Sequence, residues 1–124
     1  MEVPILKQGP YLIASIQSAL ADADLIRLQN ELASRVGKFR SRGVIVDVTA
    51  LDVMDSFATR TVRTISQMLR LRGAQTVIVG IQPEVAFAMT ELGLTLEGVE
   101  TALDLEEGLL LLVQRDEEAH RRGG

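Results

Sequence analysis

The chain has no cysteine, no tryptophan and a single histidine. Without cysteine there is no disulfide framework, no thiolate nucleophile and no sulfur ligand for a metal, a composition that fits the cytoplasm. The one histidine, His120, stands in the polar end EEAHRRGG with no ligand set beside it. Neither a metal site nor a Ser-His-Asp arrangement therefore has support. Aromatic residues are only 3% of the chain, which leaves its core to Leu, Ile, Val and Ala. No run approaches the roughly 20 apolar residues of a membrane helix, and the start MEVPILKQGP lacks the basic and apolar regions of a signal peptide. A basic excess is missing too. The formal net charge of −4 argues against a duplex-binding protein, whose footprint is positive. Gly9, Gly73, Gly80 and Gly93 are not spaced as a P-loop or a GxGxxG fingerprint. The expectation is a cytoplasmic protein with no cofactor, no metal, and neither nucleic acid nor membrane as partner.

What is present is the makings of one α/β domain. Apolar residues are 47% of 124 and charged residues 24%, a globular balance at a length that can bury a core. Val3–Lys7 and Tyr11–Ile16 are short apolar stretches separated by Gln8-Gly9-Pro10, which reads as a β-hairpin. Asp22 and Asp24 open a helix whose stripe is Leu25, Leu28, Leu32, Val36 and Phe39. Val44–Val48 is apolar on both faces, as an interior parallel strand is. A second helix follows, with Ala58, Val62, Ile65 and Leu69 on one face, and Gly73 stops it. Thr76–Ile81 is the next strand, and Gln82-Pro83-Glu84 starts a third helix that Gly93 closes. Val99–Leu103 is a last short strand. Asp104, with Glu107 three residues on, resembles a capping box for a final helix that buries Leu105, Leu109, Leu112 and Val113. The order is β-β-α-β-α-β-α-β-α: one domain over 1–124, a mixed and mostly parallel sheet of about five strands with four helices, and a polar, fraying end at about 115–124.

The chemistry-bearing residues gather around the second helix. Ser56 follows Asp55 at its start, and a serine there can cap a first-turn N–H. The same geometry suits a phosphate, because a helix start concentrates free N–H groups and partial positive charge. Arg60 and Arg63 lie within the next two turns, while Asp55 opposes added negative charge. Both readings of Ser56, cap and switch, are open at this point. Asp47, at the carboxyl end of an interior strand, is either a site acid or a loop-binding acid. Arg60, Arg63, Gln67 and Arg70 form either a solvated face or a docking stripe. The nearly continuous run Leu109–Val113 has more apolar surface than one stripe needs and is either a broad core face or the surface of a homo-oligomer, a dimer first of all. A receiver-type phosphoacceptor domain fits the size, but the first strand runs into Gln8-Gly9 without paired acids, and Ala102-Leu103-Asp104 has no lysine.

With Asp55-Ser56 opening the second helix after IVDVTALDVMDS, the element order resembles a STAS domain, the fold of anti-sigma-factor antagonists, over nearly the whole chain. The later stretch VGIQPEVAFAMTELGLTLEGVETALDLEEGL is similar to the stressosome STAS proteins, and among them to their small scaffold branch. RsbR-type paralogues share the IQPEVA-type stretch but carry an N-terminal sensory domain, for which this chain has no room. They also tend to have threonine where Ser56 stands. The resemblance implies a non-enzymatic regulator. With RsbR-type STAS proteins it would build a cytoplasmic assembly that holds an RsbT-type serine kinase inactive. Phosphorylation would release the kinase into a stress cascade, often that of the general stress sigma factor, and a PP2C-type phosphatase would reset the scaffold. By motif match the acceptor is Ser56, with Asp55 and Asp47 in the same site. Thr59 and Thr49 rank below it as acceptors, and Phe57, Arg60 and Arg63 are the partner-binding residues. Many antagonists follow the acceptor with Ser-Gly, whereas this chain has Phe57-Ala58, a departure that touches kinase choice and agrees with the small scaffold branch. An alternative is a direct antagonist that captures an anti-sigma kinase without an RsbR-type partner. From another class, a small-molecule-binding or enzymatic α/β domain would use Asp47.

Overall fold

The computed structural model describes residues 2–123. Five strands, β1 (Ile5–Gln8), β2 (Tyr11–Ser15), β3 (Gly43–Asp47), β4 (Gln75–Val79) and β5 (Glu100–Ala102), form one sheet in sequence order. β1 and β2 pair antiparallel across the turn at Gly9, and every later neighbour is parallel. The helices are α1 (Asp22–Phe39), α2 (Ser56–Leu71), α3 (Pro83–Glu91) and α4 (Leu105–Gly123). Strands and helices thus alternate as the apolar spacing requires, with strand ends at most two residues from the sequence expectation.

The sheet order decides where the helices lie. Each β-α-β crossover steps to the next strand in one direction, and right-handed crossovers then put α1, α2 and α3 on the same face. Alternation along the strands does the rest. Leu12, Ala14, Val44, Val46 and Ile78 point to that face and meet Leu28, Leu32, Val62, Ile65, Leu69, Val85 and Met89. Ile13, Ile45, Val77 and Val79 point the other way, where α4 alone covers β3, β4 and β5 with Leu112 at the centre. A glycine makes this close approach. A Cβ on Gly108 would stand 2.6 Å from Val79 Cγ1.

Helix ends carry the expected signals with one exchange. Asp104 Oδ1 accepts from Glu107 N at 2.9 Å and caps α4, while Glu107 Oε1 accepts from Leu103 N at 3.3 Å, one residue before the position a capping box uses. Two expectations are corrected. Phe39 does not complete the buried stripe of α1; it is 38% exposed in the last turn, with the Lys7 and Lys38 ammonium groups 5.9 and 5.4 Å from its ring. Val113 is likewise 38% exposed, because Gly108 and Leu112 occupy the line of contact with the sheet. The polar segment from about residue 115 is helical as far as Gly123, and Arg42 Nη1 lies 3.0 Å from Asp116 Oδ1 near its start.

Candidate functional site at the start of α2

All of α1–α4 begin at the carboxyl ends of the parallel strands, and the loop 48–55 lies there between β3 and α2. Asp47 closes β3 half-buried. Its Oδ1 accepts from the Thr49 backbone N at 2.9 Å and from Thr49 Oγ1 at 2.6 Å, so the carboxylate turns the chain out of the sheet. Gln82 Nε2 donates to Thr49 O at 2.7 Å and ties this loop to the start of α3. Gly80, at φ +81, lets the two loops approach: any Cβ there would run into Thr49 Oγ1. Leu51 and Met54 are buried and pin the loop on the core, while Val53 between them is 60% exposed.

The structure decides between Asp55 and Ser56 as the cap. Asp55 is extended (φ −78, ψ −179), and its Oδ1 accepts from Ala58 N at 2.8 Å. Ser56 is already the first helical residue, so of its two readings the cap falls instead to Asp55. From a helical backbone its hydroxyl cannot fold back over the first-turn N–H groups, a reach that only the extended residue before it has. Ser56 is exposed, and its hydroxyl makes no hydrogen bond among the described residues.

The other hydroxyls are differently placed. Thr59 is fully buried and donates from Oγ1 to Asp55 O at 2.9 Å. Thr49 is exposed, but its hydroxyl is held by Asp47. Arg60 is exposed one turn beyond Ser56, and Arg63 is half-buried a further turn on, the i, i+4, i+7 relation that puts them on one side of the helix. Arg60 and Arg63 border an open depression with Thr64, Gln67 and Glu97. Phe57 is half-buried and turns its carbonyl to Thr61 Oγ1 at 2.8 Å. On the opposite flank an apolar hollow is lined by Ile16, Leu20, Leu51, Val53, Met54 and Ala58. The structure thus brings Asp47, Thr49, Asp55 and Ser56 to one pole, with Arg60 and Arg63 running down from it. Sequence reasoning missed Gln82 and Val53. A glutamine just before a helix-opening proline was the available signal for the first; nothing local marks the second. Among the described residues, no group of three His, Cys, Asp or Glu side chains is placed to hold a metal ion, and no helix is long and apolar enough to cross a membrane.

Comparison with known proteins adds to this geometry. Residues 2–108 match the family model described as STAS domain. The RsbT co-antagonist protein RsbRA of Bacillus subtilis (strain 168) is 34% identical over 83 residues, covering 67% of this chain and 30% of the relative. The chain therefore spans under a third of that protein's length. A solved serine-to-glutamate variant of RsbS from Moorella thermoacetica is 37% identical, covers 94% of this chain and 99% of its own, and superposes with a TM-score of 0.80. A chain from a structure of the stressosome, described as a signal integration and transduction hub, is 36% identical with a TM-score of 0.73, covering 91% of this chain and 98% of that one. The unphosphorylated anti-sigma factor antagonist SpoIIAA shares the fold (TM-score 0.68, covering 90% of this chain and 97% of its own) at 13% identity.

Proposed function

The chain belongs to the STAS domain family, and from that premise we propose that it is a stressosome scaffold of the RsbS type, which holds an RsbT-type serine kinase and releases it when Ser56 is phosphorylated. The observation that carries this reading is the state of the Ser56 hydroxyl, exposed and unengaged at the first position of a helix that Asp55 already caps. It can be modified without loss of the cap. The likeness to RsbS and to a stressosome chain supports the scaffold role, and the likeness to RsbRA supports RsbR-type proteins as co-assembling partners.

The switch is one of charge. A phosphate brings about −1.5 to −2 charges at neutral pH. The first-turn N–H groups and Arg60 one turn away receive it, so the modified state is stable in itself. A kinase surface seated on the unmodified pole, with the apolar hollow beside Val53 as its foothold, meets a dianion among Asp52 and Asp55 instead of a small neutral hydroxyl. Its fit is lost, and the kinase leaves. A PP2C-type phosphatase restores the hydroxyl, and the cycle runs in the cytoplasm. Thr49 and Thr59 stand behind Ser56 as acceptors, since one is bonded to Asp47 and the other is buried.

The test is peptide mass spectrometry after incubation with an RsbT-type kinase, ATP and magnesium, paired with kinase binding by the variants. Ser56→Ala should bind the kinase as wild type does and fail to release it on ATP addition; Ser56→Asp should bind about tenfold more weakly or worse. Phosphate on Thr49 or Thr59 alone would move the switch away from Ser56. Wild-type binding by both variants, before and after ATP, would end the reading.

A further inference from the structure

Ser56 and Thr49 are both exposed at the pole where the parallel strands end, and they are held very differently. The Ser56 hydroxyl engages nothing among the described residues. Thr49 is gripped from three directions. From β3, Asp47 Oδ1 accepts from its hydroxyl at 2.6 Å and from its backbone N at 2.9 Å. From the turn after β4, the Gly80 backbone stands so close that a Cβ there would collide with Thr49 Oγ1. From the start of α3, Gln82 Nε2 donates to the Thr49 carbonyl at 2.7 Å. That last bond is unexpected for its position. Gln82 is the residue that caps α3, yet its side chain makes no capping hydrogen bond there and turns to Thr49 instead. Neither neighbouring element depends on it: the β3–β4 ladder runs on to Val48 N–Val79 O at 3.0 Å, and Asp55 caps α2.

We propose that Asp47 and Gln82 choose the phosphoacceptor: they lock Thr49, so that a kinase docked on this pole modifies Ser56 alone. The inference rests on the kinase reading above and adds which residues confine that reaction to one site. Threonine carries the same nucleophilic group as serine, so its surroundings have to make the difference. Transfer forms a bond from the hydroxyl oxygen to the γ-phosphorus of ATP and breaks the bond to the bridging oxygen, which leaves with ADP. The hydroxyl proton goes to a base on the kinase. Ser56 Oγ can enter that reaction without giving up a partner. Thr49 Oγ1 must first leave a hydrogen bond to a carboxylate, one of the stronger kinds. Its backbone cannot swing the hydroxyl outward while Gln82 holds the carbonyl, and the Asp47 charge beside it repels an incoming triphosphate. Asp47 and Gln82 touch neither ATP nor the reacting atoms, and act as positioning residues.

Peptide mass spectrometry of the whole chain, after incubation with an RsbT-type kinase, ATP and magnesium, tests this, each variant first being checked for wild-type circular dichroism. Wild type should carry under about a tenth as much phosphate on Thr49 as on Ser56. Gln82→Met, which keeps the length and loses the donor, should raise the Thr49 share about fivefold. Asp47→Asn, which removes the charge, should raise it about tenfold or more. In a Ser56→Ala background, either substitution should restore phosphate uptake, and adding Thr49→Val should abolish it again. The position of the phosphate separates a lock from a loosened fold, because general loosening would label buried Thr59 as well. Thr49 silent in every variant overturns the inference, whether or not Ser56 is labelled. So does Thr49 labelled in wild type as readily as in the variants, or label that rises on Thr59 and Thr49 together. Ser56 silent in wild type ends the switch, whatever Thr49 does, so the two readings fail separately.

Discussion

At the scale of single residues, Asp55 and Ser56 are neighbours of nearly equal capping ability with separate tasks. The Asp55 carboxylate holds Ala58 N at 2.8 Å and so secures the first turn of α2, while the Ser56 hydroxyl holds nothing among the described residues. Asp55→Ala should therefore lower stability by about 1 kcal/mol, and Asp55→Asn, which keeps an acceptor, by much less. Ser56→Ala should change it by under about 0.5 kcal/mol. Urea unfolding of the three variants reads these differences directly. Equal losses for Asp55→Ala and Ser56→Ala would make the serine structural and remove the basis of the switch. The pair Asp-Ser was legible in the sequence as a helix start. Which of the two becomes the cap was not, since that depends on where the chain leaves extended backbone, and the closing of loop 48–55 onto Leu51 and Met54 sets that point.

Among the elements, α4 is the one whose placement carries most. α1, α2 and α3 share one face of the sheet, but α4 covers β3, β4 and β5 on the other by itself. Its docking turns on Gly108, where a Cβ would lie 2.6 Å from Val79 Cγ1 and 3.3 Å from Ile45 Cδ1. Both neighbours belong to interior strands and have no room to retreat. Gly108→Val should lift α4 from the sheet and cost about 1–3 kcal/mol, the range for overpacking a well-filled contact. Hydrogen exchange should show α4 amides losing protection while those of α1 and α2 keep theirs. Uniform loss across the chain would mean that α4 is not a separate cover. The apolar count along α4 found Leu112 correctly, at 2% exposure, but placed Val113 inside, where it is 38% exposed. Periodicity weighs only side chains that are present, and the centre of this contact is a residue without one. Phe39 failed for a related reason: at the last turn of α1, the helix has already run past the sheet it packs on.

Taken as a whole, the molecule follows the alternation of strand and helix in its sequence, and with the strands in sequence order, right-handed crossovers put α1, α2 and α3 on one face. What alternation leaves open is how the two faces are sealed against water, and the single tyrosine reports on one of them. Tyr11 begins β2 on the α4 face and is 8% exposed, beside the Arg42–Asp116 pair that ties α4 down. Burial raises its phenol above the usual value of 10.0, and the Asp116 carboxylate pushes the same way, against the smaller opposing pull of Arg42. Because the folded value is the higher one, the unfolded chain gives up this proton first. The contribution to stability is full below about pH 10 and is lost as pH rises through the folded value. Tyr11→Phe cannot titrate, so its stability should fall less steeply than that of wild type on the alkaline side. With no tryptophan in the chain, phenolate absorbance follows this one ring without interference. A titration midpoint above that of the unfolded chain is expected, and Asp116→Asn should bring it part of the way down. A midpoint equal to that of the unfolded chain would leave the ring in water, and α4 could not then seal that face of the sheet.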